Sequence, residues 1–221
     1  MSYFRIRNSL EKKVIGNKFP QVKDALGDFN VDSPNYIGNM SFYLNKIDIN
    51  PVLPELLLWE SSKVTDLISS SFLGTGMGLI TSSKLKLLVE KVTPQYLQFF
   101  TMKLHHKGRV HEDYWFLHPT KANNDLIDYN KSEIWEEKSL VRVRKREFQN
   151  FETFNEETKN IKYPNSLLIT SCYLKKQLPD FFILNYIEGG VGYFVSESLK
   201  IEIEKKGCSG IVFTEPNERY P

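Results

Sequence analysis

Residues 74–100, GTGMGLITSSKLKLLVEKVTPQYLQFF, lie over residues 188–214, EGGVGYFVSESLKIEIEKKGCSGIVFT, at a constant offset of 114 with no gap. Eight aligned pairs are identical: Gly76/Gly190, Gly78/Gly192, Ser82/Ser196, Leu85/Leu199, Lys86/Lys200, Glu90/Glu204, Lys91/Lys205 and Phe99/Phe213. Average composition would give about two over such a window. Each copy keeps one order of physical roles: a glycine turn, a short apolar strand, a serine at a helix start, a helix, and a returning apolar strand. Two copies far apart are not a solenoid period, so the reading is one strand-helix-strand unit used twice.

In the first copy Leu85, Leu88, Val89 and Val92 follow the i, i+3, i+4, i+7 spacing of an amphipathic helix, with Ser82 or Ser83 placed to cap it and Pro94 to stop it. The second copy is in local conflict. Leu199, Ile201 and Ile203 alternate with Lys200, Glu202 and Glu204 in the period-two pattern of a strand. Ser196 stands where a cap belongs and Gly207 where a C-terminal helix glycine belongs, so the repeat predicts a helix there.

Outward from the two units, Tyr96–Leu104 and Val110–His118 read as a hairpin turning at Lys107-Gly108, which sets Lys103 opposite Glu112 and His105 opposite Val110. Val64–Phe72 is either a helical turn or a buried connector, and Leu167–Ile169 and Phe181–Leu184 are two further short strands. Residues 1–58, broken by Pro20, Pro34, Pro51 and Pro54, read as an N-terminal region of strands and loops packed on the remainder, 59–221. Residues 119–165 are the most polar third and read as surface, with Trp135, Phe148, Phe151 and Phe154 stranded among Asn, Asp and Glu. The fold class that follows is α+β, mostly antiparallel sheets carrying two related units as an internal pseudo-duplication.

At 221 residues, 41% apolar, 13% aromatic and 25% charged, the chain can bury a substantial core. Its formal charge of +2 is too near balance to advertise nucleic acid or an anionic membrane. The first ten residues lack the apolar core of a secretory signal, and no stretch approaches membrane-span length. Cys172 and Cys208 have neither a CxxC context nor histidines at zinc spacing. Together these features predict a protein of the reducing cytoplasm.

Reactive constellations are scarce. His105, His106, His111 and His118, beside Glu112, invite a metal-dependent hydrolase reading, but on the hairpin His105 and His106 point to opposite faces and no three imidazoles converge. Gly74, Gly76 and Gly78, and Gly189, Gly190 and Gly192, lack the strand-then-helix context of a phosphate cradle. Ser82 and Ser196 sit in no nucleophile elbow, and Asp66 and Asp128 are carboxylates that only the fold can bring together. Arg142, Arg144 and Arg146 alternate, so a strand would put three guanidinium groups on one face as a phosphate or acidic-protein site, unless nearby Glu133, Glu136, Glu137 and Glu147 neutralise it. No catalytic set and no cofactor or metal motif emerges.

The run VTDLISSSFLGTGMGLITSSKLKLLVEK, then YLQFFTMKL, YWFLHPT, LIDYNKSEI, DFFIL and YFVSESLKIEIEKKGCSGIVF, resembles immunity family eleven of bacterial polymorphic toxin systems, formerly a domain of unknown function. The features that carry it are Asp66-Leu67, the serine-led helix starts, the aromatic hairpin, Ile127-Asp128 followed by Ser132, and the closing Gly207–Phe213, over about residues 60–213. The resemblance implies a non-catalytic cytoplasmic antidote that binds and occludes a cognate toxin protein. Such a blocker needs an interface on the order of 1,600 Å² with aromatic or arginine anchors. A strongly basic nuclease partner would require the chain's acidity to be concentrated locally, as Glu133, Glu136, Glu137, Glu152, Glu156 and Glu157 do. The candidate toxin-facing residues are therefore Glu133, Trp135, Glu136, Glu137, Arg142, Arg144 and Arg146.

Overall fold

The computed structural model describes residues 2–40, 44–72, 77–92 and 95–216. In chain order these form β1 (Tyr3–Asn8), α1 (Lys12–Ile15), β2 (Val22–Leu26), α2 (Ile37–Met40), β3 (Glu55–Leu58), β4 (Leu67–Ile68), β5 (Leu79–Ser82), α3 (Ser83–Val92), β6 (Leu97–His106) and β7 (Arg109–Pro119). A 3-10 turn at Asn124–Leu126 leads into β8 (Glu133–Lys138), β9 (Val141–Arg146), α4 (Phe151–Asn160), β10 (Asn165–Ser171), β11 (Phe181–Ile187), β12 (Gly190–Ser196), α5 (Glu197–Lys205) and β13 (Ile211–Thr214). The class is α+β. Among the described residues the strands form two mostly antiparallel sheets, ordered β13-β1-β12-β11-β10-β8-β9 and β2-β3-β6-β7-β5-β4. Only β3/β6 and β10/β11 run parallel.

A common four-strand register recurs in the two sheets. In one, β4 pairs with β5 through Leu67↔Thr81 and Ile68↔Ile80; in the other, β11 pairs with β12 through Phe181↔Val195 and Phe182↔Phe194, each number displaced by 114. The third strand of each set is β7 in one sheet and β1 in the other. Phe116 lies opposite both Ile80 and Phe100, and Arg5 opposite both Phe194 and Thr214, again at that offset. The central strand thus comes from after the unit in one case and from the N-terminus in the other. β1 is an internal strand of the seven-stranded sheet, and β2 and β3 extend the six-stranded one.

The helix starts are built alike. Ser82 Oγ accepts from Leu85 N–H at 3.3 Å and Ser196 Oγ from Leu199 N–H at 3.2 Å, each satisfying one of the donors a first turn leaves open. Each serine in turn donates to an aspartate sixteen residues upstream, Ser82 to Asp66 at 2.6 Å and Ser196 to Asp180 at 2.5 Å. α5 is a helix despite its alternating pattern, because Leu199 and Ile203, four apart, enter the core while Ile201 stays exposed. Gly207, at φ +66, closes it in the left-handed region where a side chain would clash with the backbone. α3 ends at Val92; Pro94, Gly74 and Gly76 lie outside the described residues.

Three apolar clusters hold the layers. The first joins α3 and α5 (Leu85, Leu88, Leu199, Ile203) to both sheets through Leu97, Leu117, Ile6 and Tyr193. The second fills the six-stranded sheet around Phe116, Leu104 and Ile37. The third puts Phe154 of α4 against Phe148, Tyr129, Ile134 and Phe182. Burying one such phenylalanine contributes roughly 1.5–3 kcal/mol. Gly78 belongs to this packing, since a Cβ there would collide with the Phe116 ring.

Two expectations need correction. The polar third is not simply surface, because its aromatic residues Tyr129, Phe148 and Phe154 are buried and organise a core of their own. Charge density hid these apolar residues, which are spread over α4 and the connections before β8 and after β9. The hairpin turns at Lys107-Gly108 as expected, both residues at positive φ, with His105 opposite Val110. A register shift between Met102 and Leu104 displaces Lys103, however, and its ammonium pairs with Glu55 on β3 at 3.2 Å rather than with Glu112.

Candidate functional site

The arginine row is a strand, and its charges are engaged. β9 pairs with β8 through Ile134↔Arg146, Trp135↔Lys145 and Glu136↔Arg144, with a register shift before Glu137↔Arg142. Side chains alternate across a strand, so Arg144 and Arg146 share the face of Glu136 and Ile134, and Lys145 that of Trp135, while the register shift interrupts this alternation between Arg144 and Arg142. Glu136 accepts from Arg144 Nε at 2.8 Å and from Arg146 Nη1 at 2.7 Å. These two guanidinium groups, Arg146 foremost, hold the Glu136 carboxyl below the ordinary carboxylate range. Arg146 also donates to Glu157 of α4 at 2.7 Å, and Arg142 donates to Glu188 in the β11–β12 turn. Lys145 approaches Glu133 at 3.5 Å.

The neutralising partners therefore differ from the sequence expectation. Glu136 and Glu133 take part as expected, but Glu157 and Glu188 complete the set, and among the described residues neither Glu137 nor Glu147 joins an ion pair. α4 is positioned for this by its cap, Asn150 Oδ1 accepting from Thr153 N–H at 3.0 Å, and by Phe154 buried beneath it. The Arg146–Glu157 pair then ties the helix to the hairpin.

The geometry remains asymmetric. The carboxylate lies inward, with the Glu136 side chain 11% exposed, and the cation outward, with Arg144 64% exposed. Every residue from Val141 to Lys145 is exposed, as is the turn. That turn, Ser139-Leu140, has φ of +51 and +68, both left-handed, and Leu140 is 88% exposed. Two-residue hairpin turns of this kind normally take Asn-Gly because a side chain is strained there. Of the candidate residues, Glu136, Arg144 and Arg146 meet directly; Glu133 and Trp135 lie on the same hairpin, with Trp135 in register with Lys145 and Leu168; Glu137 is buried beside Arg142.

The histidines do not assemble. His105 Nε2 is 2.5 Å from Glu55 Oε2, His111 packs edge-on to Tyr114, and buried His118 places Nε2 2.8 Å from the Asn45 carbonyl. Burial pushes the His118 imidazole below its usual value, the Asn45 contact offsetting only part of this. Among the described residues no group of three or more His, Cys, Asp or Glu could hold a metal ion. Asp66 and Asp128 are engaged separately: Asp128 with Lys131 at 2.8 Å, and Asp66 with Ser82, with Ser209 N–H at 2.7 Å and with Lys84 at 3.1 Å. Cys172 and Cys208 form no disulfide, and their thiols are pushed up to about 12 and about 11 chiefly by burial, so neither is a ready nucleophile. The Gly189-Gly190 turn abuts Arg5, a buried guanidinium that donates to the Glu188 carbonyl at 2.6 Å and the Val191 carbonyl at 3.3 Å. Burial and neighbouring Arg7 push Arg5 down to about 10. No helix among the described residues is long and apolar enough to cross a membrane.

Among the described residues, what is organised is a surface rather than a converging reactive set. A family model described as Immunity protein family (Imm11) matches residues 57–218. The chain belongs to the Imm11 immunity protein family. No curated protein matches it. The Imm11 span takes in β8, β9 and α4, while β1 and β2 precede it and complete its sheets. Sequence reasoning named Glu157 in the acidic cluster but not as the partner of Arg146, and it missed Glu188, Leu140 and Asp180. Extending the offset of 114 upstream to Asp66/Asp180 would have found the last; the others depend on tertiary placement.

Proposed function

We propose that this Imm11 chain is an antitoxin that binds a cognate bacterial toxin domain and neutralises it by covering its active surface, without catalysis of its own. The observation that carries this is the family match over residues 57–218. The contact surface in this reading is the β8–β9 hairpin with Glu133, Trp135, Glu136, Glu137, Arg142, Arg144 and Arg146, since it brings exposed Leu140, Val141 and Val143 and half-buried Trp135 together with charged side chains. Reducing cytoplasm is a compartment in which Cys172 and Cys208 stay out of disulfides.

The arginine row also suggests nucleic acid, but its guanidinium groups are already engaged by Glu136, Glu157 and Glu188. Phosphate binding would have to compete with those pairs. The test is co-expression with candidate toxin domains from neighbouring reading frames: restored growth with a co-purifying complex is expected. Retention of nucleic acid by the chain alone at low salt would favour the second reading instead.

A further inference from the structure

Among the described residues, β9 is the one long, exposed sheet edge. It ends the seven-stranded sheet, with β8 on one side and no strand on the other. The opposite end, β13, is half-buried; in the second sheet β4 has two residues, and β2 is only partly exposed, with Val22 buried and Ala25 and Leu26 half-buried. Exposed edges template strand pairing, and proteins usually blunt them with charge, proline or bulges. β9 is unevenly blunted. It is rich in cations and bears the register shift opposite Glu136/Glu137, but it also carries Val141 and Val143, 67% and 58% exposed, next to the Leu140 turn.

Resting on the antitoxin reading, we propose that β9 takes up an extended segment of the toxin by strand addition. The segment carries carboxylates that face Arg144 and Lys145, the most exposed cations of the strand, and apolar side chains that cover Val141, Val143 and Leu140. Charge selects this occupant. Four of the six β9 residues are Arg or Lys, and Arg144 and Lys145, 64% and 55% exposed, lie further out than their partners Glu136 and Glu133, 11% and 40% exposed, so the rim presents cations. A second copy of β9 would set cation against cation in every antiparallel register centred on the strand, for example Arg142 opposite Arg144, which is unfavourable. An acidic strand reverses that sign. Backbone pairing supplies the affinity and the alternating side chains the specificity. Leu140 fits as an anchor: it stands in a strained turn, away from the core, at the end of the same edge. Tyr163, 94% exposed, is beside it, since Ser139 N–H donates to the Pro164 carbonyl at 3.0 Å.

The test uses three blocked decapeptides against the isotope-labelled full chain: alternating Val-Glu, alternating Val-Lys, and Val-Glu N-methylated at alternate residues along one hydrogen-bonding edge, prepared in both phases. The Val-Glu peptide should shift the amide resonances of residues 139–146, slow their hydrogen exchange, and bind at least tenfold tighter than Val-Lys. One N-methylated phase should lose this binding, and Val143→Lys should weaken it with the fold intact by circular dichroism. Shifts elsewhere, no shifts at millimolar peptide, equal binding of Val-Lys, retained binding of both N-methylated phases, or a dimer through β9 would each overturn strand addition. A chain that neutralises a toxin yet ignores these peptides sinks this inference alone. Peptide uptake at β9 without neutralisation of any toxin removes its premise and sinks both.

Discussion

Replacing Asp66 by alanine should cost about 3 kcal/mol, and replacing Asp180, which holds the corresponding place in the other unit, only about 1. Asp66 accepts from Ser82 Oγ at 2.6 Å, Ser209 N–H at 2.7 Å and Ser209 Oγ at 3.1 Å, and is itself buried. Hydrogen bonds to a charged group contribute about 1.5–3 kcal/mol each when taken singly. Their sum is reduced because deleting the carboxylate also removes its desolvation, and the Lys84 pair, with the lysine 41% exposed, adds at most about 1 kcal/mol. Asp180 accepts from Ser196 and Ser198 but is exposed, so water replaces it readily. With a urea m-value near 3 kcal/mol/M for this size, the midpoints should fall by about 1 M and about 0.3 M. The pH dependence has a fixed sign. Burial opposes ionisation of Asp66, yet the hydrogen bonds from Ser82 and Ser209 and the Lys84 contact outweigh it and hold the carboxyl below its usual value. Its contribution is therefore full above the unfolded value of about 3.9 and lost as pH falls through the folded one. The Asp66→Ala deficit should shrink in that acid range. Equal losses for the two variants, or a deficit unchanged by acid, would refute the claim that burial separates two sites of like geometry.

Two further outcomes follow from single side chains. His118 is neutral in the fold and its pKa is lowered by burial, so stability should decline as pH drops below about 6.5, where the unfolded imidazole takes a proton first; denaturant midpoints of His118→Gln should fall less from pH 7 to 5 than those of the parent, and matching declines would contradict this. Leu140→Gly should raise stability by about 0.5 kcal/mol, because a left-handed leucine costs about 1–2 kcal/mol and glycine's extra unfolded freedom returns part of it. The same change should weaken toxin binding at least tenfold in a titration; lost stability, or unaltered binding, would argue against Leu140 as a strained anchor.

Local signals in the sequence resolved wherever one element set its own geometry. Lys107-Gly108 announced its hairpin, and Ser196 with Gly207 overrode a strand-like alternation to give α5, because capping and left-handed closure act within a few residues. What stayed hidden was set by distant partners. Nothing near Arg142 or Arg146 in the chain names Glu188 or Glu157, and nothing in Tyr3–Asn8 marks it as the strand between β12 and β13. Lys103 illustrates the intermediate case: the hairpin was legible, but one register shift moved its charge from Glu112 to Glu55. For the candidate surface, the alternating arginines and the clustered glutamates were visible, whereas their mutual engagement and the exposure of Leu140, Val141 and Val143 required the sheet.

The most direct test of toxin neutralisation is a titration of the purified chain against the toxin domain whose lethality it relieves, using a catalytically inactive toxin variant so that only binding is read. A saturable one-to-one complex, with inhibition of the active toxin following the same curve, is the predicted result. Relief of toxicity with no detectable complex, or with the chain turning over toxin or substrate, would contradict it.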